Sequence, residues 1–245
     1  MSETSTSCRP VIICAGGLGV RMQPVTDGHN KHLLPIGNET VVQRCVRFAR
    51  LFSSRVAVVT SGRDLGSLGR HVGEVAMYRQ FKHPGVAGAI RSAETFCAGE
   101  GPVVLLADNL FCDDFMERIV KCSSQGTCFF SYKTTAPQNY GVVYQTSTGV
   151  RIVEKPEVNK IPRTRYGELV GAFSSDSSVW SKASNLSYSN RNELEVTDLL
   201  NMYLDKPSSE GIRHVELDCK NGWWYDIGQS MEGYYAITKT MSGLR

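Results

Sequence analysis

Apolar residues in this chain come in short runs separated by stretches of helical spacing. The run Pro10–Ala15 closes on Gly16-Gly17, as a strand buried on both faces does when it ends in a tight turn. Over 39–52, Val41, Val42, Cys45, Val46, Phe48, Ala49 and Phe52 recur near a 3.6-residue period and predict a helix. Arg55–Thr60 is the next strand, ended by Ser61-Gly62, followed by a short helix over 65–75, a strand over 76–81 and a helix over 85–96. The buried strand 102–106 runs straight into Ala107-Asp108-Asn109, so a carboxylate stands at a strand exit. Beyond it come a helix over 114–121, strands over 127–134, 140–145 and 150–155, and a polar loop or flap over 157–166. A strand over 169–173, helices over 179–186 and 195–204, a strand over 212–217 and a C-terminal helix over about 230–241 complete the pattern. Strand and helix alternating in this way predict an α/β fold, a Rossmann-like, mostly parallel mixed sheet flanked by helices.

With 245 residues, 41% of them hydrophobic, the chain can bury one substantial core, and a single domain over 10–245 with an inserted or appended subregion is expected. Residues 1–9 read as a disordered tail; Met1–Ser7 is polar and lacks the apolar middle of a signal peptide, which points to the cytoplasm. No apolar stretch reaches the roughly 18 residues of a membrane span, so no membrane partner is expected. The net charge of +3 is carried by scattered Lys and Arg, which excludes nucleic acid as the main partner but suits a phosphorylated small molecule in a cleft. Eight cysteines form no C-x-x-C pair, and several sit inside apolar runs, so they read as small buried residues in a reducing compartment. The five histidines show no metal-ligand spacing.

The strongest candidate chemistry is the loop Ala15-Gly16-Gly17-Leu18-Gly19-Val20-Arg21, with Lys31 ten residues on and Leu33-Leu34-Pro35 behind it. Glycines after a buried strand let backbone N–H groups approach phosphate oxygens, while Arg21 and Lys31 supply positive charge. A Walker loop is excluded because Lys31 lies too far from the glycines, and the stretch 17–22 breaks the dinucleotide fingerprint.

This loop resembles that of the sugar-1-phosphate nucleotidyltransferases, and among them most closely the thymidylyltransferases. Further pieces occur in the family's order: Leu106–Phe111, Tyr140–Val143, Val153–Pro156, Val170-Gly171, Glu193–Asp198 and Trp224–Gly228. The resemblance covers nearly the whole chain and implies condensation of a nucleoside triphosphate, dTTP or UTP, with a sugar 1-phosphate, releasing pyrophosphate. It also implies a nucleotide-binding part over about 10–135, a small sugar-binding subregion over about 136–228, and a homo-oligomer. Mg²⁺ is the expected cofactor, held by Asp108 and Asp226, because hard cations prefer carboxylate oxygens.

Within that resemblance, Arg21 faces the leaving pyrophosphate, Lys31 binds phosphates and Lys155 orients the attacking sugar phosphate. Ala15, Gly16, Gly17, Gly19 and Asp108 fall on the nucleotide, with Gln80 and Gly85 where the family reads the base. Asn109, Tyr140, Gly141, Glu154, Lys155 and Gly171 fall where it holds the sugar. Asp198 has two readings, a brace for a helix start or an aid to the sugar pocket. A catalytically silent sugar-nucleotide sensor would be expected to have lost some of Arg21, Lys31, Asp108, Lys155 and Asp226, and all five are present. His32, Pro84, Gly88 and Ala107 depart from the family's residues and border the base and sugar pockets. Family members with a C-terminal extension linked to allosteric control are longer, and such control is not expected of this sequence.

Overall fold

The computed structural model describes residues 9–243, apart from 18, 20, 21, 24, 27, 207–210, 219–221 and 230 and the side chains of 232, 242 and 243. Its centre is β1 (Val11–Cys14), whose four residues are all buried, Val11 and Ile13 joining one apolar cluster and Ile12 and Cys14 the other. That burial on both faces is why the run is continuously apolar rather than alternating. A two-strand ribbon, β2 (Pro35–Ile36) and β3 (Glu39–Thr40), leads into α1 (Val41–Ala49). The helix begins two residues later than its periodicity predicts because Thr40 caps it: its hydroxyl accepts from Gln43 N–H while the Gln43 side chain accepts from Thr40 N–H.

Parallel pairing builds the first half of the sheet. β4 (Val56–Thr60) lies beside β1, and β5 (Ala76–Arg79) beside β4, with α2 (Leu65–Val72) crossing between them. The predicted helix over 85–96 is two, α3 (Val86–Ser92) and α4 (Glu94–Cys97), parted at Ala93. β6 (Val103–Leu106) returns to the other side of β1, again parallel. β7 (Asn109–Phe111) leaves this sheet, and α5 (Asp113–Ser124) and β8 (Cys128–Tyr132) follow.

The second half is antiparallel. β9 (Gly141–Thr146) and β10 (Gly149–Glu154) form a hairpin beside β11 (Arg165–Ser174), which pairs antiparallel with β6, β8 and β9. β11 starts well before its apolar run and takes in Arg165 and Tyr166, which the sequence reading placed in a flap. Its polar first half is tolerated because fully buried Glu168 is paired with Arg165 Nη1 at 2.6 Å. α6 (Val179–Ser184), α7 (Val196–Leu204) and β12 (Arg213–Glu216) follow; β12 pairs parallel with β8, completing a nine-stranded mixed sheet with path β10-β9-β11-β6-β1-β4-β5. Finally β13 (Trp224–Asp226) pairs antiparallel with β7, and α8 (Met231–Gly243) packs Tyr234 and Ile237 with Ile36, Leu110 and Ile227. Helices cover both faces, as the Rossmann-like prediction required; no helix among the described residues is long and apolar enough to cross a membrane.

Candidate active site

β1 and β6 are parallel and adjacent, so the glycine loop after Cys14 and the Asp108 turn after Leu106 emerge at the same edge of the sheet. A cleft of about 880 Å³ opens there, within the size range of small-molecule sites. Among the described residues, every site residue named from the sequence lines it except Ala15 and Asp198. Ala15 is fully buried, its carbonyl taken by Thr60 Oγ1 at 2.9 Å and Asn30 Nδ2 at 3.2 Å. Arg21 lies outside the described residues.

The glycines have a second use beside phosphate approach. A Cβ on Gly17 would stand 3.0 Å from Lys31 Cε, and one on Gly19, which has φ +63°, only 2.9 Å from Lys31 Cβ. The loop therefore closes over the Lys31 stem, whose side chain is 11% exposed. Behind it, Asn30 caps the turn Lys31–Leu33 and accepts from His32 N–H at 2.9 Å.

Asp108 and Asp226 meet. β7–β13 pairing places Asp226 opposite Asn109, the neighbour of Asp108. A Cβ on Gly228 would lie 3.0 Å from Asp108 Oδ2, 3.1 Å from Asp226 Oδ1 and 2.2 Å from Lys31 Nζ. The missing side chain thus leaves room for the Lys31 ammonium, paired with Asp108, in a space that Asp226 also borders. Burial works to raise the Asp108 carboxyl, but the ion-paired Lys31 ammonium overrides it and holds the group at about 2. Asp226 has the opposite fate: burial, and then the Asp108 charge, push it up to about 6 despite Lys31, Gln229 and the Gly228 N–H. One cation for two buried carboxylates leaves the second uncompensated.

Asn109, predicted on the sugar, is mostly engaged by the protein. Its Oδ1 accepts from Gly171 N–H at 2.8 Å and from the Trp224 indole at 2.6 Å, while its Nδ2 donates to Asp108 Oδ1 at 2.9 Å. Two donors on one oxygen fix the amide's orientation, so Asn109 positions Asp108. Trp224 is buried, with its ring against Tyr140.

At the far end, Lys155 closes β10 with φ +40°, unusual for a residue with a side chain, and its N–H donates to Tyr140 O at 3.0 Å. Its ammonium lies 3.3 Å from Glu154 Oε1, which also receives Arg191 Nη2 at 3.0 Å. Arg191 reaches Glu195 and Glu193 as well, at 2.7 and 3.4 Å. It was missed in the sequence although it stands two residues before the quoted Glu193–Asp198 motif; a lone basic residue beside an acidic run was the available signal. Asp198 is exposed in the first turn of α7 and does not line the cleft, which favours the brace.

Gln80 sits at the opposite wall. Its Nε2 donates to His83 O at 2.6 Å and Gly85 O at 2.9 Å. Gly85, with φ +93°, has no room for a Cβ, which would fall 2.4 Å from Leu194 O. His32, noted only as a departure, lines the same cleft. Burial first, then Lys31, lower its imidazole to about 3, so it is neutral, with Nδ1 2.6 Å from Asn30 Oδ1.

Among proteins of known function, the chain is 29% identical to a glucose-1-phosphate thymidylyltransferase of Neisseria meningitidis, over 96% of this chain and 84% of that one. A glucose-1-phosphate thymidylyltransferase of Xanthomonas campestris is 30% identical over 90% of this chain and 76% of its own length. A Bacillus anthracis crystal structure, assigned as a glucose-1-phosphate thymidylyltransferase in complex with sucrose, superposes with a TM-score of 0.80 at 26% identity, covering 96% of this chain and 95% of that one. The family model described as nucleotidyl transferase matches residues 10–242, so that this chain, with its glycine loop, its paired aspartates and its mixed sheet, belongs to the nucleotidyl transferase family.

Proposed function

We propose that the chain condenses a nucleoside triphosphate with a sugar 1-phosphate, giving a nucleotide sugar and pyrophosphate. The observation that carries this reading is the meeting of Asp108 and Asp226 around one cation position in the cleft that also holds Gln80 and Lys155. An oxygen of the sugar phosphate attacks the α-phosphorus; the new O–P bond forms as the bond to the β-phosphate oxygen breaks, and pyrophosphate leaves. That oxygen is already ionised at neutral pH, so no general base is required. Positioning and charge stabilisation are the protein's contribution. Lys31 and Arg21 take phosphate charge, Lys155 turns the nucleophile toward the α-phosphorus, and Tyr140, Gly141, Glu154 and Gly171 face the sugar. Asn109 acts through Asp108.

The donor set suits Mg²⁺. Two carboxylates border a space above Gly228 that the tip of Lys31 enters, and among the described residues no third His, Cys, Asp or Glu completes a protein cage. Mg²⁺ is commonly bound by one or two carboxylates, with substrate phosphates completing its shell. Asp108 and Asp226 would hold it, and when bound it neutralises phosphate charge.

For the base, both Gln80 amide hydrogens are spent on backbone carbonyls, which leaves Oε1 to accept. The N3–H of thymine or uracil suits that acceptor, in keeping with dTTP or UTP, while the amino groups of cytosine and adenine can also donate to it, so the choice of base is left to the triphosphate matrix below. The accompanying expectations, a homo-oligomer and a cytoplasmic location, are checked by sedimentation and by fractionation. A matrix of the common triphosphates against several sugar 1-phosphates, read by pyrophosphate release, tests the function. Turnover with dTTP or UTP is expected, and no release with any pair would sink the reading.

A further inference from the structure

We infer that Lys31 is an exchangeable counter-ion for the metal site: without nucleotide its ammonium is paired with Asp108 and encroaches on the space above Gly228 that Asp226 also borders, and it must be drawn off by an arriving triphosphate before both carboxylates can take a divalent cation. The inference rests on the proposed function and adds an order of events to it.

Three observations support it. Lys31 Nζ is ion-paired with Asp108 Oδ2, and the space above Gly228 that is 3.0 and 3.1 Å from the two carboxylate groups is only 2.2 Å from that ammonium. A second cation there would meet like charge at close range, in a largely buried place where screening by solvent is weak. The ammonium also already borders the glycine loop. It lies 3.3 Å from where a Gly17 Cβ would be, against the loop whose backbone faces the phosphates. Its stem is held under Gly17 and Gly19, so exchange needs rotation near the end of the side chain and no movement of the backbone. Metal and triphosphate then bind with positive coupling, and by linkage each raises the affinity for the other equally. Free metal is disfavoured, and the cation enters together with the nucleotide.

The test is Mn²⁺ and Mg²⁺ binding by calorimetry to wild type, Lys31→Met, Lys31→Gln, Asp108→Asn and Asp226→Asn, with and without an α,β-methylene analogue of dTTP or UTP. Without nucleotide, Lys31→Met, which keeps the apolar stem, is expected to bind metal on the order of tenfold tighter than wild type, a coupling of ordinary size. Bound metal should raise its melting temperature more than that of wild type. Wild type should gain metal affinity when the analogue is present. Equal or weaker metal binding by both Lys31 variants, or wild-type affinity indifferent to the analogue, overturns the inference. If Asp108→Asn and Asp226→Asn bind metal like wild type with analogue present, the metal-site reading itself fails; if they lose it while Lys31 variants match wild type, only the counter-ion role fails.

Discussion

The two ends of the cleft use the same charges in different ways. At the sheet edge, Lys31 is ion-paired with Asp108 and acts on nearby Asp226 only through its charge, all three largely buried, with Asp108 propped by Asn109. At the rim, Arg191 is shared by Glu154, Glu193 and Glu195, and its side chain is 39% exposed. Water reaches Arg191, Glu154 and Glu193, so the surplus negative charge they carry costs little, while buried Glu195 is met by Arg191 and Ser189. The buried cluster has no such relief, and one of its carboxyls is driven up to about 6. A surplus of buried carboxylate calls for a cation, whereas a surplus at the rim orders a loop.

The largest effect that would break this comparison is loss of a buried carboxylate. Asp108→Asn and Asp226→Asn should each lower the rate of pyrophosphate release by about 10²-fold or more, the scale for removing a group that faces transition-state charge. The metal-free Asp226→Asn protein should melt no lower than wild type, since the substitution removes an uncompensated charge. Retained turnover in both would refute the assignment.

Asn109→Ala comes next. It strips the Trp224 and Gly171 N–H groups of their acceptor, and denaturant titration should show a loss of about 1–3 kcal/mol. Apparent Mg²⁺ affinity should fall as well, which a purely structural residue would not cause. Arg191→Ala leaves solvent-reached Glu154 and Glu193 but strips buried Glu195 of its ion pair, so its cost to the fold should be comparable to or somewhat below that of Asn109→Ala, about 1–2 kcal/mol. Its expected signature is a raised KM for the sugar phosphate with the KM for the triphosphate unchanged; equal changes in both would remove the distinction between the two ends.

The smallest effect concerns acid. The folded imidazole of His32, at about 3, lies below its ordinary value of 6.5. Neutral His32 therefore contributes stability that is present above 6.5 and lost as pH falls toward 3. His32→Gln should flatten the decline of melting temperature over that range, and an unchanged decline would show that His32 is not the group responsible.

Local order was readable where one physical cause dominates. Val11–Cys14, Val56–Thr60 and Val103–Leu106 are continuously apolar because both faces of each strand are covered, and each lies inside its predicted range. The α1 face followed from 3.6-residue spacing. Where pairing matters more than hydrophobicity, the sequence was less informative. The start of β11 looked like a loop because Arg165 and Glu168 satisfy each other only once the strand is in place. β7 and β13 are three residues each, too short for any periodicity.

The sequence by itself determined the alternation of strands and helices, the strand-exit positions of the glycine loop and Asp108, and the residue types of a phosphate-handling cleft. Only the tertiary structure decided which charges share a space. Parallel pairing of β1 with β6, and antiparallel pairing of β7 with β13, bring Lys31, Asp108 and Asp226 together from distant parts of the chain. Spacing along a sequence encodes local geometry, but the strength of a charge depends on burial and on its neighbours in three dimensions. Asp226 therefore reads in the sequence as one acid among many, and in the fold as the carboxylate set beside Asp108 with hydrogen bonds from Gln229 and the Gly228 N–H.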